Sequence, residues 1–343
     1  MKEENSNSVW GNESTQFFTS LGPDQVLKAA ELFGVKCTGR SLQLNSMENR
    51  VYQVEIEPAD DSIPQNSPER YRIIKFYRPG RWSFDQINEE HIFLSDLVAE
   101  EYPVVCPIEY EPGSTILKDP ETGLYTSMFP RIGGRNVDEL RDHQIPIVGR
   151  LLARLHAIGG KKISSHRLHL NCDTYGDQNL DLILSLKVLP PNYEDTYVTL
   201  IEDLLDMIEP MFENVEYQRV HGDCHLGNLL DGNDGLFWVD FDDMVMAPPV
   251  QDIWLVESGR DDYSLRRRDS LLSAYETFKA FDYDSLKLVE PLRTLRLLHF
   301  TAWIGKRYQD MSFKKAFPEY GTDGYWQDQI ETMREQSELV SAL

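Results

Sequence analysis

The run His221-Gly222-Asp223-Cys224-His225-Leu226-Gly227-Asn228 sets a carboxylate and a carboxamide five positions apart on a stretch containing two glycines. A second carboxylate, Asp240, closes the apolar run Leu236-Phe237-Trp238-Val239 and precedes Phe241 and Asp242. Transfer of a phosphoryl group from a nucleotide needs groups of this kind. A carboxylate orients the attacking hydroxyl and accepts its proton, and hard oxygen ligands hold the Mg²⁺ that neutralises the phosphates. On this reading Asp223 is the proton acceptor, Asn228 is a metal ligand, and Asp240 is a second active-site carboxylate and metal ligand.

The interval from Asp223 to Asn228 matches the H-R-D-x-x-x-x-N pattern of phosphoryl-transfer loops, with Gly222 in place of the arginine. Asp240 stands where a D-F-G-type metal carboxylate belongs. Two blander readings compete. His221, Asp223, Cys224 and His225 have the side chains of a zinc cluster, but their crowding on one loop is not a usual zinc spacing, and no remote Cys/His pair completes it. The stretch could also be a purely structural polar loop. His221 and His225 are better suited to stiffening the loop by hydrogen bonds than to catalysis.

The elements around these residues change character along the chain. Residues 1–20 are polar and expected to order late or poorly. A short helix is expected from Asp24 to Phe33, ending at Gly34. Two strands, Ser41 to Leu44 and Val51 to Ile56, flank turn residues at 45–49, and a third covers Tyr71 to Phe76. Ser83 can cap a helix from Phe84 to about Ala99 with Ile87, Ile92, Phe93, Leu94 and Leu97 on its apolar face. Two more strands are expected, one near Ile108 and one at Leu124 to Phe129. Pro130-Arg131-Ile132-Gly133-Gly134 then reads as a hinge between lobes. Beyond it helices are expected at 147–158, 197–212, 250–258, 265–280, 285–308 and 326–341. Short strands at 229–230 and 236–239 bracket a turn at 231–235.

The chain has 343 residues, more than a single core usually requires. Its 34 Lys plus Arg against 57 Asp plus Glu give a formal net charge of −23. That balance argues against a nucleic-acid or anionic-membrane partner and permits a cationic substrate, though a solvated acidic surface explains it as well. The four scattered cysteines suit reduced thiols. With a polar N-terminus and no long apolar run, a soluble cytoplasmic protein is expected.

H-G-D-C-H-L-G-N with V-D-F-D-D downstream resembles the aminoglycoside phosphotransferase and choline kinase superfamily. The segments 44–52 (Leu-Asn-Ser-Met-Glu-Asn-Arg-Val-Tyr), 75–82 (Lys-Phe-Tyr-Arg-Pro-Gly-Arg-Trp) and 249–254 (Pro-Val-Gln-Asp-Ile-Trp) are similar to the stress response kinase A family of bacterial cytoplasmic Ser/Thr protein kinases. This resemblance runs from about residue 20 to 335.

The resemblance implies the same roles for Asp223, Asn228 and Asp240. It also implies that Lys75 on the third strand contacts the α- and β-phosphates and that Ser46 contacts ATP. A surface lysine is the alternative for Lys75, though an unpaired ammonium beside Ile73-Ile74 would be costly. A plain turn is the alternative for Ser46. Lys75 then needs a carboxylate from the next helix. Glu90, four and seven positions before Leu94 and Leu97, is the choice over Glu89, which reads as a solvated charge.

His156 reads as a packing histidine. Asp252 is expected to cap the helix after Pro249 and to reach the catalytic loop. Arg78 and Arg81 could meet phosphate or form surface ion pairs.

The expected fold is α+β, two-lobed and kinase-like, with a small β-rich N-lobe over 1–130 and a mostly helical C-lobe over 131–343. ATP would lie between the lobes, with Mg²⁺ as cofactor, in a protein acting as a monomer. The expected reaction moves the γ-phosphoryl group to a Ser or Thr hydroxyl of a protein in a stress response. A small-molecule kinase for an amino alcohol, aminoglycoside or sugar shares every catalytic residue. No A-P-E segment follows Asp240, which keeps that alternative open.

Overall fold

The computed structural model describes residues 21–60 and 62–343. The polar segment 1–20 lies outside the described residues. Helix α1 (Pro23–Glu31) begins with proline in its first turn, where the missing N–H is harmless. It lies on a five-stranded antiparallel sheet of β1 (Cys37–Gln43), β2 (Arg50–Ile56), β3 (Tyr71–Phe76), β4 (Leu117–Lys118) and β5 (Tyr125–Pro130), in the order β1-β2-β3-β5-β4.

Strand β3 is central, and its alternation sorts the two faces. Ile74 and Phe76 pack into a small core with Val26, Ala30, Val54 and Met128. Ile73 and Lys75 point the other way, into a cleft. In register, Lys75 lies between Val51 of β2 and Ser127 of β5.

The expected strand near Ile108 does not form. Pro103 and Pro107 interrupt the run, and Ile108 contributes a single N–H to the Met128 carbonyl. The remaining strand of the sheet is β4, after the Pro112-Gly113 turn.

Helix α2 (Phe84–Ala99) starts at Ser83, whose hydroxyl accepts from the Gln86 N–H while the Gln86 side chain accepts from the Ser83 N–H. Ile87, Phe93, Leu94 and Leu97 are buried, but Ile92 is 43% exposed, on the opposite face from Glu90 and Leu94. The buried face joins the larger core shared with the C-terminal helices, not the small core under α1. Thus α2 lies between β3 and β4 in sequence yet packs on the helical part.

The rest is mostly helical, so the α+β plan holds. After β6 (Arg135–Asn136) come α3 (Ile145–Gly159), a π-helical run at Cys172–Asp177, α4 (Gln178–Leu186) and α5 (Pro191–Ile208). Pro210 turns the end of α5 into a 3₁₀ segment, so the helix stops short of Phe212. Two small sheets then carry the loops of interest. Strands β7 (Gln218–Val220) and β10 (Val245–Ala247) pair antiparallel, and β6 pairs with β8 (Leu229–Gly232), which pairs with β9 (Gly235–Trp238).

Helices α6 (Val250–Val256), α7 (Asp262–Tyr275), α8 (Val289–Arg307), α9 (Met311–Ala316) and α10 (Asp323–Ser341) complete the chain. The sequence pattern missed α4 and α9, two short helices of nine and six residues. Among the described residues no helix is long and apolar enough to cross a membrane.

Candidate active site

The loop 221–228 leaves β7 and returns through β8, and buried hydrogen bonds fix its shape. The Asp252 carboxylate accepts from the N–H groups of His221 and Gly222, both at 2.9 Å, and from the His156 ring at 3.0 Å. Asp252 therefore does not cap α6; its side chain is committed to the loop. His156 is fully buried and also meets the Tyr275 hydroxyl, as a packing histidine would.

Gly222 has φ +86°, and a Cβ there would run into the Asp243 carbonyl and Val245. Glycine in place of the arginine is thus a requirement of close approach between this loop and the turn after β9. His221 ties the same two segments. Its Nε2 donates to the Val239 carbonyl at 3.0 Å, and its Nδ1 accepts from the Asp223 N–H at 3.2 Å.

Asp223 is the most heavily engaged carboxylate of the loop. One oxygen lies 2.7 Å from the Arg296 guanidinium on α8. The other lies 3.2 Å from His225 Nε2 and 3.2 Å from the Asn228 amide nitrogen. Burial alone would raise its pKa, but His225 and Arg296 outweigh burial and hold the carboxyl below the usual carboxylate range. His225 is raised in return, chiefly by its hydrogen bond to Asp223. Both ring nitrogens of His225 are used, since Nδ1 accepts from the Gly227 N–H at 3.1 Å. With the rings of His221 and His225 committed in this way, the zinc reading of the loop has no free imidazole.

The sheet side supplies a second charged group. Lys75 Nζ lies 2.9 Å from Asp242, 3.8 Å from Glu90 and 3.8 Å from Asp240. Burial would lower the Lys75 pKa, and these carboxylates reverse that and raise it. Glu90 is also held by Arg167 at 3.2 Å. Glu89 is not the solvated charge expected for it; it accepts from the backbone N–H groups of Ser165, His166 and Arg167.

Asp240 has a left-handed backbone (φ 61°, ψ 67°) and heads a 3₁₀ turn over Phe241–Asp243. Its side chain remains 56% exposed, whereas that of Asp242 is 5% exposed. Asp242 would be raised by burial, but Lys75 brings it down to about 2.

Two cavities are lined by these groups. One, of about 330 Å³, lies under the β1–β2 turn. Val51, Ile73, Leu94 and Phe129 give it apolar walls, and Ser46, Lys75 and Asp240 supply polar groups. The other, of about 220 Å³, is bounded by Asp223, Arg296, Arg81, Tyr175, Trp303 and neighbouring side chains. Asn45 and Asn49 also line the first cavity, so the turn that carries Ser46 faces it directly.

The fold thus brings five of the six candidate residues into two contacting groups. Asp223 bonds Asn228, and Lys75 reaches Glu90 and Asp240; Ser46 shares the cleft without a contact to them. Asp242, Arg167 and Arg296 were not singled out from the sequence. Asp242 was visible in the D-x-D spacing, but Arg167 and Arg296 sit in helical or loop sequence with no motif. Arg78 and Arg81 are buried rather than superficial: Arg78 reaches the Glu48 and Met47 carbonyls and Asp310, and Arg81 pairs with Asp243.

A divalent cation suits the donor set. The Asn228 amide N–H group donates to the Asp223 carboxylate and carbonyl, which turns its amide oxygen away from Asp223. Asp240 offers an exposed carboxylate. Among the described residues no group of three or more His, Cys, Asp or Glu could hold a metal alone. A cation here would complete its shell with water and phosphate oxygens, as Mg²⁺ does.

The family model described as "Phosphotransferase enzyme family" matches residues 42–289. Stress response kinase A of Escherichia coli (strain K12) is 34% identical over 330 residues, 96% of each chain. The serine/threonine protein kinase RdoA of Salmonella typhimurium is 33% identical over the same length and share. Among solved structures, an amicoumacin kinase in complex with AMP-PNP and Ca²⁺ superposes with a TM-score of 0.67 at 17% identity, covering 90% of this chain and 93% of that one. A microcompartment-associated aminopropanol kinase gives 0.64 at 16% identity, covering 92% and 96%. At such identities these two likenesses concern the fold alone.

Proposed function

We propose that this chain, which belongs to the stress response kinase A family within the phosphotransferase enzyme family, moves the γ-phosphoryl group of ATP to a Ser or Thr hydroxyl of a protein. The observation that carries the reading is the placing of the candidate groups on two cavities: Lys75 and Asp240 line the apolar-walled cleft, and Asp223 lines the other.

In this reading segments 1–130 and 131–343 act as two lobes with the nucleotide between them. Adenine takes the apolar end of the cleft between Ile73, Phe129 and Leu94. Ser46 and the turn N–H groups near it bind phosphate oxygens. Lys75, held by Glu90 and Asp242, presents its ammonium to the α- and β-phosphates. Asn228 and Asp240 would hold Mg²⁺, which when bound neutralises charge on the phosphates.

The acceptor hydroxyl enters from the second cavity and hydrogen-bonds Asp223. Its oxygen forms the new bond to the γ-phosphorus as the bond to the β–γ bridging oxygen breaks. The hydroxyl proton passes to Asp223, and ADP leaves with the bridging oxygen. Asp252 and His221 keep the loop in register so that Asp223 need not be reoriented for each turnover.

The protein acceptor and the stress response are supported by kinship with stress response kinase A and with a relative whose name is serine/threonine protein kinase. The test is ATP turnover with Mg²⁺ in the presence of protein substrates or of a panel of amino alcohols, aminoglycosides and sugars. Phosphoprotein is expected. Phosphate found only on small molecules would replace this acceptor with the small-molecule one.

A further inference from the structure

The cavity on the Asp223 side carries more ionised groups than proton acceptance requires, and they are not arranged for a cation. Its carboxylates are already matched. Glu48 meets Arg307 at 2.7 Å and Trp303 Nε1 at 2.9 Å. Asp243 pairs with Arg81, and Asp223 pairs with Arg296 at 2.7 Å. An ammonium-bearing acceptor would find each of these carboxylates already engaged by a guanidinium, with only Asp243 widely exposed at 41%, and would face Arg296 of its own sign.

Arg296 differs from the other cations of the cavity. The Arg81 side chain is 3% exposed and fixed by Asp243, and Arg307, which pairs with Glu48 without lining the cavity, is 4% exposed. The Arg296 side chain is 38% exposed and reaches from α8 to the Asp223 oxygen that His225 and Asn228 leave unused. An acceptor hydroxyl approaching that oxygen meets Arg296 already there.

We propose that Arg296 selects acceptors carrying a carboxylate beside the hydroxyl, by exchanging its bond to Asp223 for one to that carboxylate. A planar guanidinium binds a carboxylate in two parallel hydrogen bonds, so the exchange keeps the guanidinium paired while it vacates Asp223. An ammonium in the same position offers nothing to draw the guanidinium away and is repelled by it, which rejects cationic acceptors. The inference rests on the phosphotransfer role of Asp223 and deepens the proposed protein acceptor. In a protein the carboxylate would be an Asp or Glu next to the phosphorylated Ser or Thr; the same chemistry is offered by a small hydroxy acid.

The experiment measures ADP formation from ATP with two matched pairs of acceptors. One pair is a Ser peptide flanked by Glu and the same peptide flanked by Lys. The other is hydroxypropanoate and aminopropanol. Wild-type protein is compared with Arg296→Ala, Arg296→Lys and Arg296→Glu. The expected result is a wild-type preference in kcat/KM of about tenfold or more for the carboxylate-bearing member, lost in Arg296→Ala, partly restored in Arg296→Lys and reversed in Arg296→Glu. If Arg296→Ala does not fold, the Lys and Glu variants carry the comparison.

A wild-type preference for the ammonium-bearing member, or an unchanged preference in the variants, overturns the proposal. Transfer to hydroxypropanoate but to neither peptide would support the role of Arg296 and refute the protein acceptor. Transfer to both peptides alike would do the reverse.

Discussion

Lys75 stands 2.9 Å from Asp242, nearer than the 3.8 Å that separates it from Glu90. The lysine on the central strand is therefore held by the turn after β9 as well as by α2, and it bridges the sheet and the helical part of the chain. Lys75→Met would leave buried Asp242 without its nearest cation and Glu90 with Arg167 alone. A loss of about 3–5 kcal/mol of stability is expected, together with weaker nucleotide binding. Asp240→Asn, at a half-exposed side chain, should weaken Mg²⁺-dependent nucleotide binding with little change in stability. Denaturant unfolding and nucleotide titration with and without Mg²⁺ distinguish the two variants.

Asp223 receives hydrogen bonds from Arg296, His225 and Asn228 and lines the second cavity, not the cleft that holds Lys75. Asp223→Asn should therefore reduce turnover by roughly 10²–10⁴ while nucleotide affinity stays within a few-fold. Steady-state kinetics alongside a nucleotide-binding isotherm provide the check. Undiminished turnover would remove Asp223 from the reaction.

Gly222 has a positive φ and no room for a Cβ beside the Asp243 carbonyl. Gly222→Ala should lower stability by about 1–3 kcal/mol from backbone strain alone, with more from the clash. Because the displaced partner is the turn that carries Asp240 and Asp242, turnover should fall further than stability accounts for. A thermal melt and an activity assay well below the midpoint measure the two effects separately.

Glu290 reports on electrostatics outside the two cavities. Burial would raise its pKa, but Arg260, Gln336 and Arg293 bring it from 4.5 down to about 2. A depressed carboxyl contributes stability that is present above its unfolded value and lost as pH falls towards its folded value. Glu290→Gln should cost about 1–2 kcal/mol at pH 7, with the deficit fading below about pH 4.5 and nearly gone by about pH 2. Urea unfolding of both proteins across this range would show the convergence; a deficit independent of pH would assign the loss to packing.

Much of the site was legible because its parts are local. Asp223 and Asn228 share one loop, and Asp240 follows a four-residue strand, so spacing alone carries their relation. The apolar pair Ile73-Ile74 marked Lys75 as a lysine that needs a partner, and the spacing to Leu94 and Leu97 put Glu90 rather than Glu89 on the buried side of α2. Helix caps such as Ser83 with Gln86 are equally local. The strand expected near Ile108 failed because flanking prolines limit pairing, a local signal that the apolar run obscured. Short α4 and α9 escaped because six to nine residues give too few turns for a clear period.

The sequence by itself determined the α+β plan, the family and the loop that carries Asp223, since these depend on periodicity, turn chemistry and motif spacing. Tertiary structure alone decided which charges meet. Arg296 reaches Asp223 from 73 residues away, Arg81 reaches Asp243 from 162, and Arg307 reaches Glu48 from 259. Ion pairs between distant segments leave no periodic trace, because a charged side chain reads the same in sequence whether it faces water or a partner. Only folding, by removing those groups from water together, fixes which carboxylate each guanidinium must satisfy.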